Sequence, residues 1–361
     1  MRKLGICIGL AFLFFAATFP RVQASIFSDD SRYVAEFTDH SYIAIWNVGS
    51  GKLIGGVQVT KDLKRFVIDT SEAQPKIRLE REDGEIAVSD INGQKDVQWL
   101  KIGKRKPYRQ ALNGLKYGWQ VQQGDDDRTL YLVNIDTNKE YPIHLPNPID
   151  DRGHYITVSA NGQDLVLYTK MPLPKWKGYS IWKSHRDRDE FKRFTPFGRS
   201  WIFENPVLIS KDASCIVVWE PRPEPAVRIW NKDLRHSSTI DCIQEFPPST
   251  NFYLTDLALS DDGKLFAFSA KDFRINIYST STKKLLESLD AIEPLKAARL
   301  EIPKQETEQG RIIYQSSNIG SISISPDNNL LYAWLNNNMI LWNRSTGKAI
   351  ILEQPVHEAP H

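Results

Sequence analysis

Apolar and polar residues alternate along most of the chain in short runs that are typical of β-strands separated by tight turns. Five of the turns share the form Ser-x-Asp/Asn-small, with the serine at positions 28, 159, 210, 260 and 325. These residue types favour turns because their side chains bond the local backbone or, for glycine, because the backbone accepts unusual dihedral angles. A run rich in β-branched and aromatic residues follows each turn. The pattern therefore predicts a repeated unit of strands and turns.

A second repeated feature follows each of these turns at a distance of 17 to 23 residues. It is a strand that ends in an aromatic residue, namely Trp46, Trp182, Trp230, Tyr278 and Trp342. Another polar turn comes next, as at residues 47–52 and 343–348, and then a fourth apolar run. The pattern thus predicts four strands per unit, and we expect the aromatic side chains to fill the space between units.

Two weaker copies fill the gap between Trp46 and Trp182, at residues 86–93 and 130–136. With Ser89 and Asn134 at the aromatic position, the units recur at steps of 43, 45, 48, 48, 48 and 64 residues. Sheets of four short antiparallel strands bury both faces when they stack radially around an axis. The predicted fold is all-β, a seven-bladed β-propeller of four-stranded antiparallel blades over residues 25–354, with a flexible C-terminal tail at 355–361.

The chain ends and the long last step make this prediction more specific. Residues 25–28 should form the innermost strand of the first blade and residues 349–352 the outermost strand of the last, with no strand exchanged between the termini. The 64-residue step is too short to hold an additional blade. We therefore expect residues 291–312 to form an insertion between blades, with a short helix over 292–300.

The repeat resembles that of the WD-repeat family. The similar features are the Ser-Pro-Asp-Asn turn at 325–328, the strand ends of the Ile45-Trp46 type, and the Asn-x-x-x-Gly-Lys turns that follow. The resemblance extends over essentially the whole sequence after residue 24. It implies the propeller architecture of that family.

The first 24 residues have the features of a secretory signal peptide. Arg2 and Lys3 precede an apolar run over residues 4–19, and residues 22–24 place small side chains for cleavage before Ser25. The run is shorter than the roughly 20 residues that a spanning helix needs. We therefore expect cleavage after Ala24, a periplasmic or secreted protein, and no stable membrane anchor after cleavage.

The charge balance argues against nucleic acid as a partner. Of 46 basic residues, three leave with the signal segment, so 43 basic residues stand against 44 acidic ones in the mature chain. Such a balance supplies no global field that would hold a polyanion. One local basic stretch is interpreted as a solvated loop, and it contains Lys101, Lys104, Arg105, Lys106 and Arg109.

No arrangement of residues predicts catalysis, a metal or a cofactor. The sequence lacks a nucleophile elbow, a phosphate loop, a Cys-x-x-Cys pair and a His-Glu-x-x-His motif. The acidic run 124–128 lacks the alternating carboxylates of a calcium loop and is interpreted as a hairpin turn. Cys215 and Cys242 are expected to be buried free thiols, because their predicted strand positions lie too far apart for a disulfide.

Three long connections are the most informative feature for function. In a propeller, the connections between the second and third strands of a blade lie on the same face as those between blades, and we name it the loop-rich face. Its aromatic and basic residues, on a proline-rich backbone, are Lys175, Trp176, Lys177, Arg199, Trp201 and Arg222. Trp and Arg dominate binding energy at protein interfaces. We therefore expect a monomeric, non-catalytic scaffold that binds a protein partner through this face.

The sequence leaves three alternatives open. Trp176 and Trp201 could fold back as local caps over a blade edge. The protein could instead be a propeller enzyme, of the lactonase or another hydrolase type, with a site at the central channel. It could also be a sensor that binds a small ligand. Ionisable residues with strongly shifted pKa values in the channel would favour the enzyme, and a deep pocket would favour the sensor.

Overall fold

The computed structural model describes residues 25–354 apart from short stretches. The stretches outside the description are 39–41, 60–61, 71–73, 92–96, 109–114, 146–147, 149–153, 173–176, 187–191, 194–197, 200–206, 221–225, 232–237, 242–255, 270–272, 301–304, 307–311, 314–318 and 336–337. The signal segment 1–24 and the tail 355–361 also lie outside the described residues. The assignments of these two terminal segments therefore stay predictions.

The described strands form seven antiparallel sheets of three to five strands, which we number in chain order, and one two-stranded sheet. Sheet 1 contains β1 (Ser25–Phe27), β2 (Tyr33–Thr38), β3 (Tyr42–Asn47) and β4 (Leu53–Gln58). Sheet 2 contains β5 (Leu63–Asp69), β6 (Lys76–Arg81), β7 (Glu85–Asp90) and β8 (Leu100–Lys101). Sheet 3 contains β9 (Trp119–Gln123), β10 (Thr129–Asn134) and β11 (Glu140–His144), preceded by a 3-10 turn at Leu115–Tyr117.

Sheets 4 to 7 follow the same plan. Sheet 4 contains β12 (His154–Val158), β13 (Asp164–Pro172), β14 (Lys177–His185), β15 (Lys192–Arg193) and β16 (Gly198–Arg199). Sheet 5 contains β17 (Val207–Ile209), β18 (Cys215–Glu220), β19 (Ala226–Asn231) and β20 (Ser238–Asp241). Sheet 6 contains β21 (Asp256–Leu259), β22 (Leu265–Ser269), β23 (Arg274–Ser279) and β24 (Leu285–Asp290). After α1 (Ile292–Ala297) and the pair β25 (Gln305–Glu306) and β26 (Ile312–Ile313), sheet 7 contains β27 (Ile319–Ile324), β28 (Leu330–Leu335), β29 (Asn338–Asn343) and β30 (Lys348–Ile351).

The predicted four-strand unit is confirmed in sheets 1, 2, 5, 6 and 7, where the strands pair in chain order. Sheet 3 has three described strands. At the place of the predicted first strand, the described residues form only an isolated bridge between Pro107 and Gln122. Proline has no N–H to donate and so interrupts a ladder. The Tyr108 N–H nevertheless donates to the Val121 carbonyl at 2.7 Å, which keeps this segment beside β9.

The Ser-x-Asp turns hold the first strand of a sheet to the second. At the sixth sheet, the Ser260 hydroxyl donates to Asp262 Oδ1 at 2.7 Å and accepts the Leu265 N–H at 3.0 Å. The Asp262 carboxylate also accepts the Lys264 N–H at 3.0 Å, so one serine and one aspartate satisfy the turn. The same arrangement recurs at the other four serine turns, as predicted, starting at Ser28, Ser159, Ser210 and Ser325.

Each sheet contacts the next, and sheet 7 contacts sheet 1. Apolar clusters join sheets 1 and 2, 3 and 4, 5 and 6, and 6 and 7. Another cluster packs Phe27 and Trp46 of sheet 1 against Tyr332 and Leu341 of sheet 7. The first strands of neighbouring sheets also lie side by side, as β1 does with β27 and with β5. These strands therefore converge on a common axis.

The predicted phase of the units is confirmed at the chain termini. β1 pairs with β2 and β30 pairs with β29, so each terminal strand belongs to its own sheet. The two ends meet through side chains and single hydrogen bonds, since Trp46 Nε1 donates to the Glu353 carbonyl at 2.7 Å. Four of the five repeated aromatic residues are buried as expected, with Trp46, Trp230, Tyr278 and Trp342 at most 4% exposed. The fifth, Trp182, is partly buried against the cluster between sheets 3 and 4.

The long step between sheets 6 and 7 contains the predicted short helix, although α1 ends at Ala297. Ile292 and Leu295 are buried and join the cluster between sheets 6 and 7. The step also contains the pair β25–β26, which the sequence does not predict. Two residues per strand fall far short of a four-stranded unit.

Candidate functional site

The structure describes two of the six residues of the predicted partner site, and both lie in sheet 4. Lys177 and Arg199 were expected in loops, but Lys177 begins β14 and Arg199 ends β16. β16 pairs with β14, with Arg199 opposite Gly178, so the backbones of both residues lie together at one end of the sheet. Lys175, Trp176, Trp201 and Arg222 lie outside the described residues. The convergence of all six residues therefore stays a prediction.

The hairpin that carries Lys177 is longer than its counterparts. β13 and β14 are each 9 residues long and pair from Asp164–His185 to Pro172–Lys177. The equivalent strand β18 of sheet 5 has 6 residues. At ~3.3 Å per residue, the difference extends the hairpin by about 10 Å. The paired strands of sheet 4 thus extend further at the end that carries Lys177.

A second candidate, missed by the sequence analysis, is a polar interface between sheets 2 and 3. Opposed residues in a sheet share a face, and Arg65 pairs with Glu80 while Val67 pairs with Arg78. Arg65, Arg78 and Glu80 therefore share the face toward sheet 3. The alternation of charged and apolar residues in β5 and β6 was the available signal, but these strands carry neither the serine turn nor the terminal aromatic residue.

A β-bulge shapes the inner end of this interface. The pairing register of β5 shifts between Leu63 and Arg65, so Lys64 is the additional residue. Bulges redirect side chains, and here the Lys64 ammonium lies 3.4 Å from the Tyr108 carbonyl and 3.9 Å from Glu80 Oε1. Lys64 is thus directed across the gap toward the segment before sheet 3.

Two buried glutamines of β9 complete a hydrogen-bond network with Glu80. Gln120 Nε2 donates to Glu80 Oε1 at 3.3 Å and to the Gly84 carbonyl at 2.9 Å. Gln122 Nε2 donates to Gln120 Oε1 at 2.7 Å and to the Ile102 carbonyl at 2.6 Å. Buried polar groups are stable only when they are hydrogen-bonded, and this network satisfies the two amides and the carboxylate together.

Arg65 differs from the other members of this interface. No hydrogen bond or ion pair joins its guanidinium to any described residue, and its one resolved partner is the more distant charge of Glu80. Burial lowers the pKa of Arg65, and the Glu80 carboxylate acts in the opposite direction. Part of the residue still contacts solvent. Arg65 is therefore a partly buried cation that faces the charge of Glu80.

The other arginines of the interface have dedicated partners. Arg78 bonds Asp69 at 3.0 Å and Asp136 of sheet 3 at 3.2 Å. Arg105 bonds Glu140 at 2.7 Å and stacks over the Tyr131 ring at 3.7 Å from its centroid. The basic stretch was predicted to be a solvated loop, and the exposed Lys104 and Lys106 have that character. Lys101 is also exposed but ends strand β8, and Arg105 is held by its partners. Arg109 lies outside the described residues.

The opposite end of the axis, where the Ser-x-Asp turns lie, is crossed by an ion pair. Lys211 Nζ of the turn in sheet 5 lies 3.7 Å from Asp29 Oδ2 of the turn in sheet 1. Burial raises the pKa of Tyr117, and the charges of Asp261, Asp29 and Asp212 raise it further. Tyr117, which precedes sheet 3, is thus within electrostatic range of the turns of sheets 1, 5 and 6.

Two further sequence interpretations, the hairpin turn at 124–128 and the buried thiol of Cys215, agree with the structure. Residues 124–128 connect β9 and β10, and Asp126 accepts the Arg128 N–H at 2.8 Å, as a hairpin turn requires. Cys215 is a buried free thiol, and burial raises its pKa to about 12. Cys242 lies outside the described residues. Among the described residues, no group of three His, Cys, Asp or Glu side chains could hold a metal ion, and no helix is long and apolar enough to cross a membrane.

Comparison with known proteins shows the fold. No protein-family model matches the chain, and no curated protein matches its sequence. Hydrazine synthase of Kuenenia stuttgartiensis is 13% identical with a TM-score of 0.53, over 98% of this chain and 100% of that chain. The β-propeller domain of Cps50 (Swd1) from Myceliophteria thermophila is 14% identical with a TM-score of 0.53, over 91% of this chain and 95% of that one. A chain of the mitotic checkpoint complex is 12% identical with a TM-score of 0.53, over 90% of both chains. At such identities the likeness concerns architecture alone, and it supports a WD-repeat-like β-propeller fold.

Proposed function

We propose that this protein is an exported, non-catalytic scaffold that binds a protein partner through the loop-rich face of a seven-bladed propeller. The observation that carries the proposal is the pairing of β14 with β16, which brings Lys177 and Arg199 to one end of sheet 4. Both belong to the set of aromatic and basic residues predicted from the sequence. The longer β13–β14 hairpin gives a partner an additional edge to contact.

Two further observations support the architecture in this proposal. Seven sheets contact one another in chain order, and sheet 7 also packs on sheet 1 through Trp46 and Tyr332, as seven blades in a ring would. A chain of similar fold was solved within a mitotic checkpoint complex, so this architecture is compatible with assembly into complexes. Export rests on the signal-like residues 1–24, with cleavage after Ala24 and release into the periplasm or the medium.

The test is affinity capture of the tagged mature protein from the envelope of its own cells. The double change Trp176→Ala with Trp201→Ala should abolish capture of the partner and leave the melting temperature almost unchanged, because truncating a true interface anchor commonly costs ~2 kcal/mol or more. The matched control is Leu285→Ala with Leu286→Ala, two exposed apolar residues on the outer strand β24. The control should capture the partner as the wild type does.

Three results would count against the proposal. Loss of thermal stability in the tryptophan double variant would show that these rings belong to the fold, as local caps. Equal loss of capture in the control would show that capture reflects general surface hydrophobicity. Recovery of the unprocessed chain, with residues 1–24 retained in the membrane fraction, would contradict cleavage after Ala24 and release of the mature protein.

A further inference from the structure

Sheet 4 differs from the other six propeller sheets in the charge of its strands. Its five strands contain six basic residues and one acidic residue, which leaves a net charge of +5. The most basic of the other sheets is sheet 2, where six basic residues stand against four acidic ones. The most acidic is sheet 6, where one basic residue stands against three acidic ones. The positive charge of the described strands is therefore concentrated in sheet 4.

Sheet 2 shows how this fold accommodates basic residues that serve its own structure. Its register places Lys76 opposite Asp69 on one side and opposite Asp90 on the other. It also places Lys101 opposite Glu85. Opposite charges at facing positions of neighbouring strands stabilise a sheet. The basic residues of sheet 2 are thus balanced within the sheet.

The register of sheet 4 does not balance its charge in this way. In the described pairs of this sheet, none of the six basic residues lies opposite an acidic one. Lys183 even lies opposite Lys192, and like charges at facing positions destabilise a sheet. The single acidic residue, Asp164, begins β13 opposite His185. The charge of sheet 4 therefore does not stabilise the sheet itself, which indicates a role toward another molecule.

Three of the cations lie together at one end of the sheet, which we name the basic end and define by Lys170, Lys177 and Arg199. Lys170 of β13 pairs with the residue two positions after Lys177, and Arg199 of β16 pairs with the residue directly after it. At ~4.8 Å between strands and ~3.3 Å per residue, the three Cα atoms lie within about 10 Å of one another. Asp164 lies about 20 Å away along β13, at the same rise per residue.

The spacing at the basic end fits an extended acidic peptide. The same dimensions place the Cα atoms of neighbouring cations about 6 to 8 Å apart. Alternate residues of an extended chain lie ~6.6 Å apart and point to the same side. A peptide with acidic residues at alternate positions therefore presents carboxylates at the spacing of the cations.

The charge of the remaining chain argues against a long polyanion. The mature chain has 43 basic and 44 acidic residues, a net charge of −1, so the part outside the strands of sheet 4 carries −6. A nucleic acid that extended beyond sheet 4 would meet this negative charge, whereas a short acidic segment stays within the basic end.

We propose that the basic end of sheet 4 binds an acidic segment of the protein partner, through ion pairs with Lys170, Lys177 and Arg199. The inference rests on the scaffold function proposed above, because it names the chemistry of that partner. It also adds Lys170 to the residues predicted from the sequence.

The experiment measures Kd for the purified mature protein by fluorescence anisotropy and vesicle sedimentation. The probes are a labelled, end-blocked peptide Gly-Glu-Gly-Glu-Gly-Glu-Gly, its Gln counterpart, an oligothymidylate of equal charge, and phosphatidylglycerol vesicles. The test variant combines Lys170→Gln, Lys177→Gln and Arg199→Gln. The matched control combines Lys101→Gln, Lys104→Gln and Lys106→Gln, which removes the same number of charges from exposed positions elsewhere.

The wild type should bind the Glu peptide more tightly than the Gln peptide, and added salt should weaken this binding. The test variant should weaken Kd for the Glu peptide about tenfold, because each exposed ion pair contributes a factor of about two and three such factors multiply. The control should stay within about twofold of the wild type, since screening limits the effect of distant charges. The melting temperature of the test variant should equal or exceed that of the wild type, because mutual repulsion of the cations is removed.

Several outcomes would overturn the inference. Equal affinity of the wild type for the Glu and Gln peptides would do so, and this comparison needs no variant to fold. Full binding by the test variant, or equal loss in the control, would show that these three cations are not the site. Tighter binding of the oligothymidylate or of the vesicles would assign the basic end to a nucleic acid or a membrane. A marked fall in the melting temperature of the test variant would assign the cations to the fold.

Failure of this inference and failure of the scaffold proposal give different results. If the wild type captures a partner, the Trp176 and Trp201 variant loses it and the test variant keeps it, the scaffold stands and the acidic contact is wrong. If no partner is captured and the Glu peptide still binds selectively at the basic end, the acidic site stands and the scaffold proposal is wrong.

Discussion

The two faces of sheet 2 pack against their neighbouring sheets through different kinds of residues. Toward sheet 1 the sheet presents Phe66, Ile68, Ile77 and Leu79, all buried in one apolar cluster. Toward sheet 3 the same strands present charged residues, and the apolar contact there is a small cluster around Val67, Ile86 and Leu115. One pair of strands thus packs by hydrophobic burial on one side and by a hydrogen-bonded network on the other.

The contrast between the two interfaces shows that polar groups between sheets impose a stricter geometry than apolar groups do. Hydrophobic burial is non-directional and contributes roughly 25 cal/mol per Å², so an apolar interface tolerates small shifts between sheets. A buried polar network is stable only if each member is satisfied, and it therefore fixes one geometry. In this interface Glu80, Gln120 and Gln122 satisfy one another, so the two sheets are held in one relative position.

The comparison is tested most strongly by Phe66→Ala on the apolar face. Phe66 is fully buried, and truncation of such a ring leaves a cavity that costs about 3–5 kcal/mol of unfolding free energy. Denaturant unfolding of the mature protein measures it. Val88→Ala, on the opposite face of the same sheet and 52% exposed, is the control and should cost no more than ~0.5 kcal/mol. A cost below ~1 kcal/mol for Phe66→Ala would show that this interface contributes little to the ring.

On the polar face the corresponding change is Glu80→Ala. It leaves the Lys64 ammonium without this carboxylate, removes the charge that opposes Arg65, and takes away one of the two acceptors of Gln120, so we expect a loss of about 3 kcal/mol. Adding Lys64→Met to Glu80→Ala should restore part of the stability, which a double-mutant cycle measures as coupling. Additive losses would mean that Lys64 and Glu80 do not interact, and the network would then be incidental.

A third test concerns how closely sheets 5 and 6 approach each other at a glycine. Gly263 and Gly347 both have positive φ angles, +69° and +67°, but a Cβ at Gly263 would lie 2.6 Å from Cys215 Cβ of sheet 5, whereas none lies within 4 Å at Gly347. Gly347→Ala should therefore cost about 1 kcal/mol from backbone strain alone. Gly263→Ala should cost ~1–3 kcal/mol more, because it overpacks the interface. Equal losses would show that sheets 5 and 6 can separate slightly without penalty.

The repeated parts of the fold could be predicted from the sequence, since turns such as Ser260–Asp262 and strand ends such as Trp342 carry their own local signals. The polar face of sheet 2 could not, because alternating charges predict a solvent-facing strand surface equally well. The strand placement of Arg199 was missed for another reason. β16 has two residues and pairs with β14 across a long connection, and no local pattern marks such a pairing.

The smallest expected effect is the contribution of the Asp262 charge, in the turn of sheet 6, to the free energy of unfolding. Burial alone would raise the pKa of Asp262, but hydrogen bonds from the Lys264 N–H and Ser260 outweigh it and lower the pKa below its ordinary value of 3.8. The charged form thus stabilises the fold above pH 3.8, and this contribution is lost as pH falls through the lowered pKa.

Asp262→Asn keeps an acceptor for the turn and removes the charge. It should cost no more than about 0.5 kcal/mol at neutral pH, because solvent screens this partly exposed group. Unfolding measured against pH should show the difference from wild type shrinking below pH 3.8. A difference that stays constant down to the lowest pH would mean that the turn depends on the shape of Asp262 and not on its charge.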